Sequence, residues 1–249
     1  MSEIALYTRP QSLEDVSMHY CPGCGHGIVH KLIAELMDEM DLRDKTVAVA
    51  PVGCSVIAYE YWDVDCTEAA HGRAPAVATG IKRFRPDAFV LVYQGDGDLA
   101  SIGIAETIYA ANRGENFTTI FINNTIYGMT GGQMAPTTLP GQVTTTSPTG
   151  RDVATMGYPI RMCEIYDTLE APSFIARTML DSPGGIRKTK TLIRKAFEAQ
   201  VAGQGFSVVE ILSPCPTYMR MDPIQAMKHI KDKVSEYFPV KIFRDRTAE

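Results

Sequence analysis

Between Ala88 and Asn124 the chain runs strand, acidic glycine turn, helix, strand, and this unit restricts the fold more than any other stretch. Ala88-Phe89-Val90-Leu91-Val92-Tyr93-Gln94 is short, apolar and rich in β-branched and aromatic residues, the pattern of a buried strand. It ends on Gly95-Asp96-Gly97-Asp98. Leu99 to Arg113 reads as a helix, and Phe117 to Ile122 reads as a second strand ending on Asn123-Asn124. Strands joined through a helix run parallel, so both turns fall on one edge of a sheet. Open α/β sheets bind ligands at that edge. An Asp and an Asn there, beside small glycines, suit a Mg2+ ion that holds a diphosphate.

The flanking sequence continues the alternation. Thr46 to Val52 reads as a strand followed by Gly53-Cys54-Ser55, with Ser55 placed to cap Val56 to Tyr61. Trp62 to Thr67 is irregular. His71-Gly72-Arg73 precedes a helix over Ala74 to Phe84 and reads either as an anion pocket or as a surface turn. Further on, the pattern predicts a strand over Ile160 to Tyr166, helices over Ala171 to Asp181 and Ile186 to Ala202, a strand over Gly205 to Leu212, and a last helix over Asp222 to Tyr237. The expected fold class is α/β, a doubly wound and mostly parallel sheet with helices on both faces. Residues 1–20 are expected to form an N-terminal arm, 21–240 a single domain, and 241–249 a C-terminal tail. Residues 125–150 are expected to act as a lid loop within the domain, since a long aperiodic stretch inside a compact domain is commonly functional.

The cysteines narrow the chemistry. No run approaches the roughly 18 apolar residues of a membrane span, and the first ten residues lack the basic-then-apolar order of a signal peptide. The expected location is therefore cytoplasmic, where six cysteines point to metal or redox use and not to a disulfide frame. A net charge of -5 gives no reason to expect nucleic acid or an anionic membrane as partner. Cys21-Pro22-Gly23-Cys24-Gly25-His26-Gly27 leads into a helix over Ile28 to Met40, where the helix dipole favours thiolate. The pair reads as a redox dithiol or as half of a metal or iron–sulfur site. Cys54 and Cys215 each follow a strand, so four thiols can converge on the edge that carries Asp96. Such a set suits tetrahedral Zn2+ or a four-iron cluster. Cys163, inside a predicted strand, reads as a small buried hydrophobe. Cys66 is an alternative to Cys54 as a ligand.

Gly95-x-Gly97-x-x-Ala100 also fits a dinucleotide fingerprint, but that motif needs an acid at the end of the next strand. Asn123-Asn124 stands there, and Asp96 would repel a bare pyrophosphate. A metal between Asp96 and the phosphates removes both difficulties. Gly-Asp-Gly followed by Asn124, about 28 residues after Asp96, is the thiamine diphosphate motif.

Several stretches together now carry a resemblance. They are Cys-Pro-Gly-Cys-Gly-His (21–26), Gly-Cys-Ser (53–55), His-Gly-Arg-Ala (71–74), Ala-Thr-Gly (78–80), Gly-Asp-Gly-Asp (95–98), Asn-Asn-Thr-Ile-Tyr-Gly-Met-Thr-Gly-Gly-Gln (123–133) and Ser-Pro-Cys-Pro-Thr (213–217). From Cys21 to about Tyr218 the chain resembles the β subunit of the 2-oxoacid:ferredoxin oxidoreductases, the thiamine diphosphate-binding subunit of the 2-oxoisovalerate and 2-oxoglutarate types. The resemblance implies a diphosphate-type thiamine diphosphate domain. It implies a 4Fe-4S cluster on Cys21, Cys24, Cys54 and Cys215, and Mg2+ on Asp96, Asn124 and the Ile126 carbonyl. It implies cofactor contacts from Gly53, Cys54, Ser55 and His71, from Gly95, Asp96, Gly97 and Asp98, and from Asn124, Ile126, Tyr127, Gly128, Met129 and Thr130. His71, Met129 and Thr130 would lie near the thiazolium and diphosphate; the cofactor carries the chemistry, and no side chain is assigned as catalytic.

An α-type subunit with the pyrimidine-binding domain is the implied partner, and the family allows γ and ferredoxin-like δ subunits. Ferredoxin, a 2-oxoacid and coenzyme A are the other implied partners. The implied reaction is oxidative decarboxylation of a 2-oxoacid to acyl-CoA and CO2. Members acting on 2-oxoglutarate often carry Lys or Arg soon after Gly-Cys-Ser. Here Val56-Ile57-Ala58 follow, which favours a branched-chain substrate such as 2-oxoisovalerate over 2-oxoglutarate or pyruvate. The alternative class, a non-catalytic cofactor or cluster scaffold, is disfavoured by the intact Asp96, Asn124 and four cysteines.

Overall fold

The computed structural model describes residues 7–247; the first part of the expected arm and the last residues of the expected tail lie outside them. Strand β1 (Thr46–Ala50), β2 (Asp65–Glu68), β3 (Phe89–Gly95), β4 (Thr118–Asn123), β7 (Phe174–Met179) and β8 (Ser207–Leu212) pair in parallel, and β9 (Ile242–Asp245) adds antiparallel to β7. The order across the sheet is β2-β1-β3-β4-β8-β7-β9, while β5 (Ile126–Tyr127) and β6 (Gln133–Met134) form a separate small hairpin. The winding reverses at β1, because β2 lies on one side of it and β3 on the other. A crevice therefore opens beyond the carboxyl ends of β1 and β3.

The alternation of β3 shows why the sheet is covered twice. Phe89, Leu91 and Tyr93 join one apolar cluster with residues of α1 (His26–Glu39), while Val90 and Val92 join a second with α2 (Ala74–Phe84) and α3 (Ile104–Asn112). The chain then passes α4 (Val153–Met156), α5 (Met162–Asp167) and α6 (Pro183–Val201). Helix α6 joins the first cluster and α5 the second. Ser182 caps α6 by accepting the Gly185 N–H at 3.1 Å, and Pro183 starts it. Beyond β8 come α7 (Pro216–Met219) and α8 (Pro223–His229), the latter opened by an Asp222/Gln225 capping box. A π-helical turn and a short helix prolong it to Tyr237, where Ile230, Val234 and Phe238 close a third small core.

Several elements differ from the sequence expectation. The Ile160–Tyr166 stretch is not a strand. It carries α5, whose Met162, Cys163 and Tyr166 are buried. The Ala171–Asp181 stretch is not a helix; it carries β7, an inner strand buried on both faces. Asp65–Glu68, expected irregular, is the edge strand β2. Ser55 makes no side-chain cap to the 3-10 turn Val56–Glu60. Within the segment expected as a tail, Ile242–Asp245 is a sheet strand. Residues 7–20 lie along the surface, with Ser12 bonded to Asp38 and the His19 ring bonded to the Tyr61 hydroxyl at 2.6 Å.

Candidate active site

The crevice at the winding reversal is a cavity of about 260 Å3. The loop after β1 supplies Gly53, Cys54 and Ser55, and the turn before α2 supplies His71. Gly95, Asp96, Gly97 and Asp98 enter from the end of β3. Asn124, Ile126, Tyr127, Gly128, Met129 and Thr130 enter from beyond β4. The parallel topology thus brings together around one cavity every residue that the family resemblance implies as a cofactor contact.

Asp96 is buried, with one carboxylate oxygen accepting the Gly97 N–H at 2.9 Å and the other the Thr137 hydroxyl at 3.0 Å. Burial pushes its pKa up to about 7, although Thr137 and neighbouring backbone N–H groups pull the other way. A carboxylate held in that condition favours a nearby cation. Asp98 plays a different part. Its Oδ1 accepts from His71 Nδ1 at 2.6 Å and from the Gly72 N–H at 2.8 Å, and its Oδ2 from Gln94 Nε2 at 2.6 Å. With both oxygens engaged by the protein, Asp98 ties the loop before α2 to the end of β3. That tie needs two glycines: a Cβ on Gly72 would meet the Gly103 nitrogen at 2.6 Å, and one on Gly103 would meet Gly72 Cα at 2.7 Å. The chain bridges the gap with a π-helical turn, Asp98–Ile102, a device common at functional sites.

Beyond β4 the chain turns sharply. Asn124 Oδ1 accepts the Ile126 N–H at 3.3 Å, and Thr125 between them has φ of 64°. Tyr127 folds back over the glycine turn, so that a Cβ on Gly97 would lie 2.7 Å from its ring. Asp96, the Asn124 side chain and the Ile126 backbone are the oxygen donors available to a hard cation here.

The loop 125–150 packs over this edge. Thr137 reaches Asp96, and Thr138 donates to the Thr125 carbonyl at 2.6 Å. Residues 126–134 form the small β5–β6 hairpin, and beyond it buried Arg151 gathers the carbonyls of Pro136 and Thr138 at 3.0 and 2.6 Å, which fixes the irregular remainder of the loop.

Cys21, Cys24, Cys54 and Cys215 line a second, smaller cavity with Tyr20, His26, Gly128 and Tyr218. The two cavities share Cys54, His26, Asn124 and Gly128 in their walls. Gly128 is the thinnest part: a Cβ there would stand 3.2 Å from Cys54 Sγ and 3.6 Å from Cys215 Sγ. At Cys24 burial acts against the thiolate preference expected at the start of α1. Burial pushes the thiols of Cys24 and Cys54 up to about 11 and that of Cys215 up to about 12. Among the described residues no three Cys, His, Asp or Glu side chains are grouped closely enough to hold a single metal ion. The four thiols line one cavity, as their convergence on this edge of the sheet requires. Cys66 is not with them; it lies on β2, against the core under α1. Cys163 is buried as expected, though on α5, with its sulfur 3.7 Å from the Ala176 carbonyl.

Residues 51–211 match the family described as thiamine pyrophosphate enzyme, C-terminal TPP binding domain. The 2-oxoglutarate synthase subunit KorB of Archaeoglobus fulgidus is 39% identical over 93% of this chain and 81% of its own. The chain belongs to the thiamine diphosphate-binding subunits of the 2-oxoacid:ferredoxin oxidoreductases. The ketoisovalerate oxidoreductase subunit VorA of Methanothermobacter thermautotrophicus is 55% identical over 97% of this chain. This chain covers 53% of that relative, about half its length. A solved structure, 2-oxoglutarate:ferredoxin oxidoreductase from Magnetococcus marinus with 2-oxoglutarate, coenzyme A and succinyl-CoA bound, superposes with a TM-score of 0.80 at 28% identity. That match covers 96% of this chain and 86% of the other.

Beside the expected residues the cavities of this family member are bordered by others that sequence reading passes over. His26 is 2% exposed, its Nδ1 pairs with the Tyr93 hydroxyl at 2.7 Å, and its ring borders both cavities. Burial lowers its pKa to about 3, so the ring is neutral. Ser55, one of the expected contacts, has its Oγ buried in the cavity wall without a hydrogen-bond partner among the described residues. Thr137 sits in a stretch with no period, and nothing in its neighbourhood marks it. Among the described residues no helix is long and apolar enough to cross a membrane.

Proposed function

We propose that this chain is the diphosphate-binding half of a CoA-acylating 2-oxoacid:ferredoxin oxidoreductase, oxidising a 2-oxoacid to acyl-CoA and CO2. The observation that carries the reading is the buried Asp96, raised by burial and facing Asn124 and Ile126 across one cavity. Those three would hold Mg2+, and through it the diphosphate of thiamine diphosphate. The bound cofactor would supply the electron-accepting centre that decarboxylation of a 2-oxoacid requires. Asp98 and His71 keep the loop before α2 against the site, and Gly97 leaves room for the Tyr127 ring.

Cys21, Cys24, Cys54 and Cys215 would hold a 4Fe-4S cluster. The shared wall at Gly128 supports direct electron passage from the diphosphate cavity to that cluster, and onward to ferredoxin. Residues 125–150 would serve as the lid. At the mouth of the cavity Ile102 and Met129 are half exposed. These apolar side chains suit coverage by an α-type subunit that completes the site and brings the pyrimidine-binding domain. Val56, Ile57 and Ala58 place no cation near Ser55, and the VorA relatives carry ketoisovalerate in their names. The substrate we favour is therefore a branched-chain 2-oxoacid. The γ and δ subunits, and a cytoplasmic location, belong to the same reading.

Asp96→Ala tests it. The complex, isolated with its co-purifying chains, is expected to lose Mg2+-dependent retention of thiamine diphosphate while keeping its iron. Normal thiamine diphosphate content in that variant would sink the assignment.

A further inference from the structure

Two charged residues stand in the middle of inner strands. Arg177 on β7 and Glu210 on β8 are fully buried and directly opposite in register. Burying an ion pair is costly, and apolar residues often serve as well or better, so the pair calls for a use beyond stability. Its contacts supply one. Arg177 Nε donates to Glu210 Oε2 at 2.8 Å, and its two terminal nitrogens clasp Glu164 at 2.9 and 2.6 Å. The other oxygen of Glu210, Oε1, accepts Asn123 Nδ2 at 2.7 Å. Asn123 in turn accepts the Thr125 N–H on its Oδ1 at 3.2 Å.

Thr125 is buried, β-branched and left-handed, a combination that L residues adopt only when held. The turn it occupies sets Asn124 and Ile126 on the wall of the cavity that Asp96 also lines. We propose that Asn123, fixed by the buried Glu210–Arg177 pair, is the positioning residue that holds the Asn124–Thr125–Ile126 turn in its cation-binding form. Arg177 fixes the carboxylate and the carboxylate fixes the Asn123 amide. The amide oxygen then restrains the Thr125 N–H. This rests on the reading that Asp96, Asn124 and Ile126 hold the divalent ion.

The test uses the complex isolated with its co-purifying chains, stripped of metal and cofactor. Mg2+ is titrated at fixed thiamine diphosphate, and cofactor retained after gel filtration is measured as thiochrome fluorescence. Asn123→Ala is expected to raise the half-saturating Mg2+ concentration about ten- to a hundredfold, the usual effect of losing a partner behind a metal ligand. Adding Thr125→Gly should return it to within about threefold of wild type, because glycine adopts that φ without being held. A residue important only for general stability would not be rescued this way. Asn123→Asp keeps the volume but sets a second carboxylate against Glu210, and it should shift the titration in the same direction if the alanine variant does not accumulate. Wild-type half-saturation in Asn123→Ala or Asn123→Asp would overturn the proposal, and so would a double variant as weak as the single one. A wild-type complex that retains thiamine diphosphate equally well without Mg2+ would instead remove the metal reading beneath it.

Discussion

Gly128 has no side chain, and its α-carbon stands where two cavities meet. A methyl group there would press on Cys54 Sγ at 3.2 Å and rest in ordinary contact with Cys215 Sγ at 3.6 Å. Gly128→Ala should therefore strain the cysteine pocket by about 1–3 kcal/mol, the usual cost of overpacking. The expected result is a complex with less iron and acid-labile sulfide and with thiamine diphosphate binding largely kept. Full iron content together with an unchanged cluster potential would show that the wall has slack. Residues of this kind were legible where chemistry permits few types: Gly97 and Asp96 at a strand end, and cysteines at two others. Thr137, Gln94 and Asn123 were not legible as site residues, since a hydroxyl or amide that supports a carboxylate can stand on any loop or strand. The Thr137–Asp96 and Asn123–Glu210 bonds exist only once distant segments meet, and Gln94 reaches Asp98, four residues on, only through the turn between them.

At the scale of elements, the sequence and the fold part company at β7 and α5. Phe174-Ile175-Ala176-Arg177-Thr178-Met179 is buried on both faces, so no two-residue alternation marks it, and the arginine suggests one polar face of a helix. The polar face is an ion pair instead. Helix α5 has only six residues, too few for a helical period to outweigh its Ile, Cys and Tyr content. The same ion pair makes a pH prediction. Burial tends to raise the Glu164 carboxyl, but the Arg177 guanidinium outweighs it and holds the group below the usual carboxylate range. A depressed folded value means the contribution is complete above the unfolded value of about 4.3 and fades as pH falls through the folded one. Glu164→Gln should therefore destabilise the chain by about 1–2 kcal/mol at neutral pH, discounted from a fully buried charged hydrogen bond. Melting curves of the two proteins should converge as pH drops below about 4. Equal separation of the curves at acid and neutral pH would mean that packing, and not charge, is what the carboxylate provides.

The whole chain is closed upon itself at the cysteine pocket. Cys21 and Cys24 precede the first helix, Cys54 follows the first strand, and Cys215 follows β8. Their approach is built into the backbone. Gly23, at φ of 79°, lies so near the start of α8 that a Cβ would meet Pro223 at 2.6 Å, and a Cβ on Gly25 would collide with Ser213 Oγ. The cavity proposed for the diphosphate is drawn mostly from the middle of the chain, residues 52 to 130, with His26 at its border. A group bound to the four thiols would also tie in Cys21, Cys24 and Cys215, which that cavity leaves alone, and binding to the folded state alone stabilises the segments that form the site. The two ligands should leave separate marks in hydrogen exchange. On the reading that the four thiols hold a 4Fe-4S cluster, stripping it with an iron chelator under reducing conditions should speed exchange in residues 19–25 and 213–222 together, with little change in 95–98 and 124–130. Removing Mg2+ and thiamine diphosphate should do the reverse. If stripping the cluster loosens only one of the two distant segments, the four cysteines do not share one group; if either treatment loosens both regions alike, the Gly128 wall does not separate two sites.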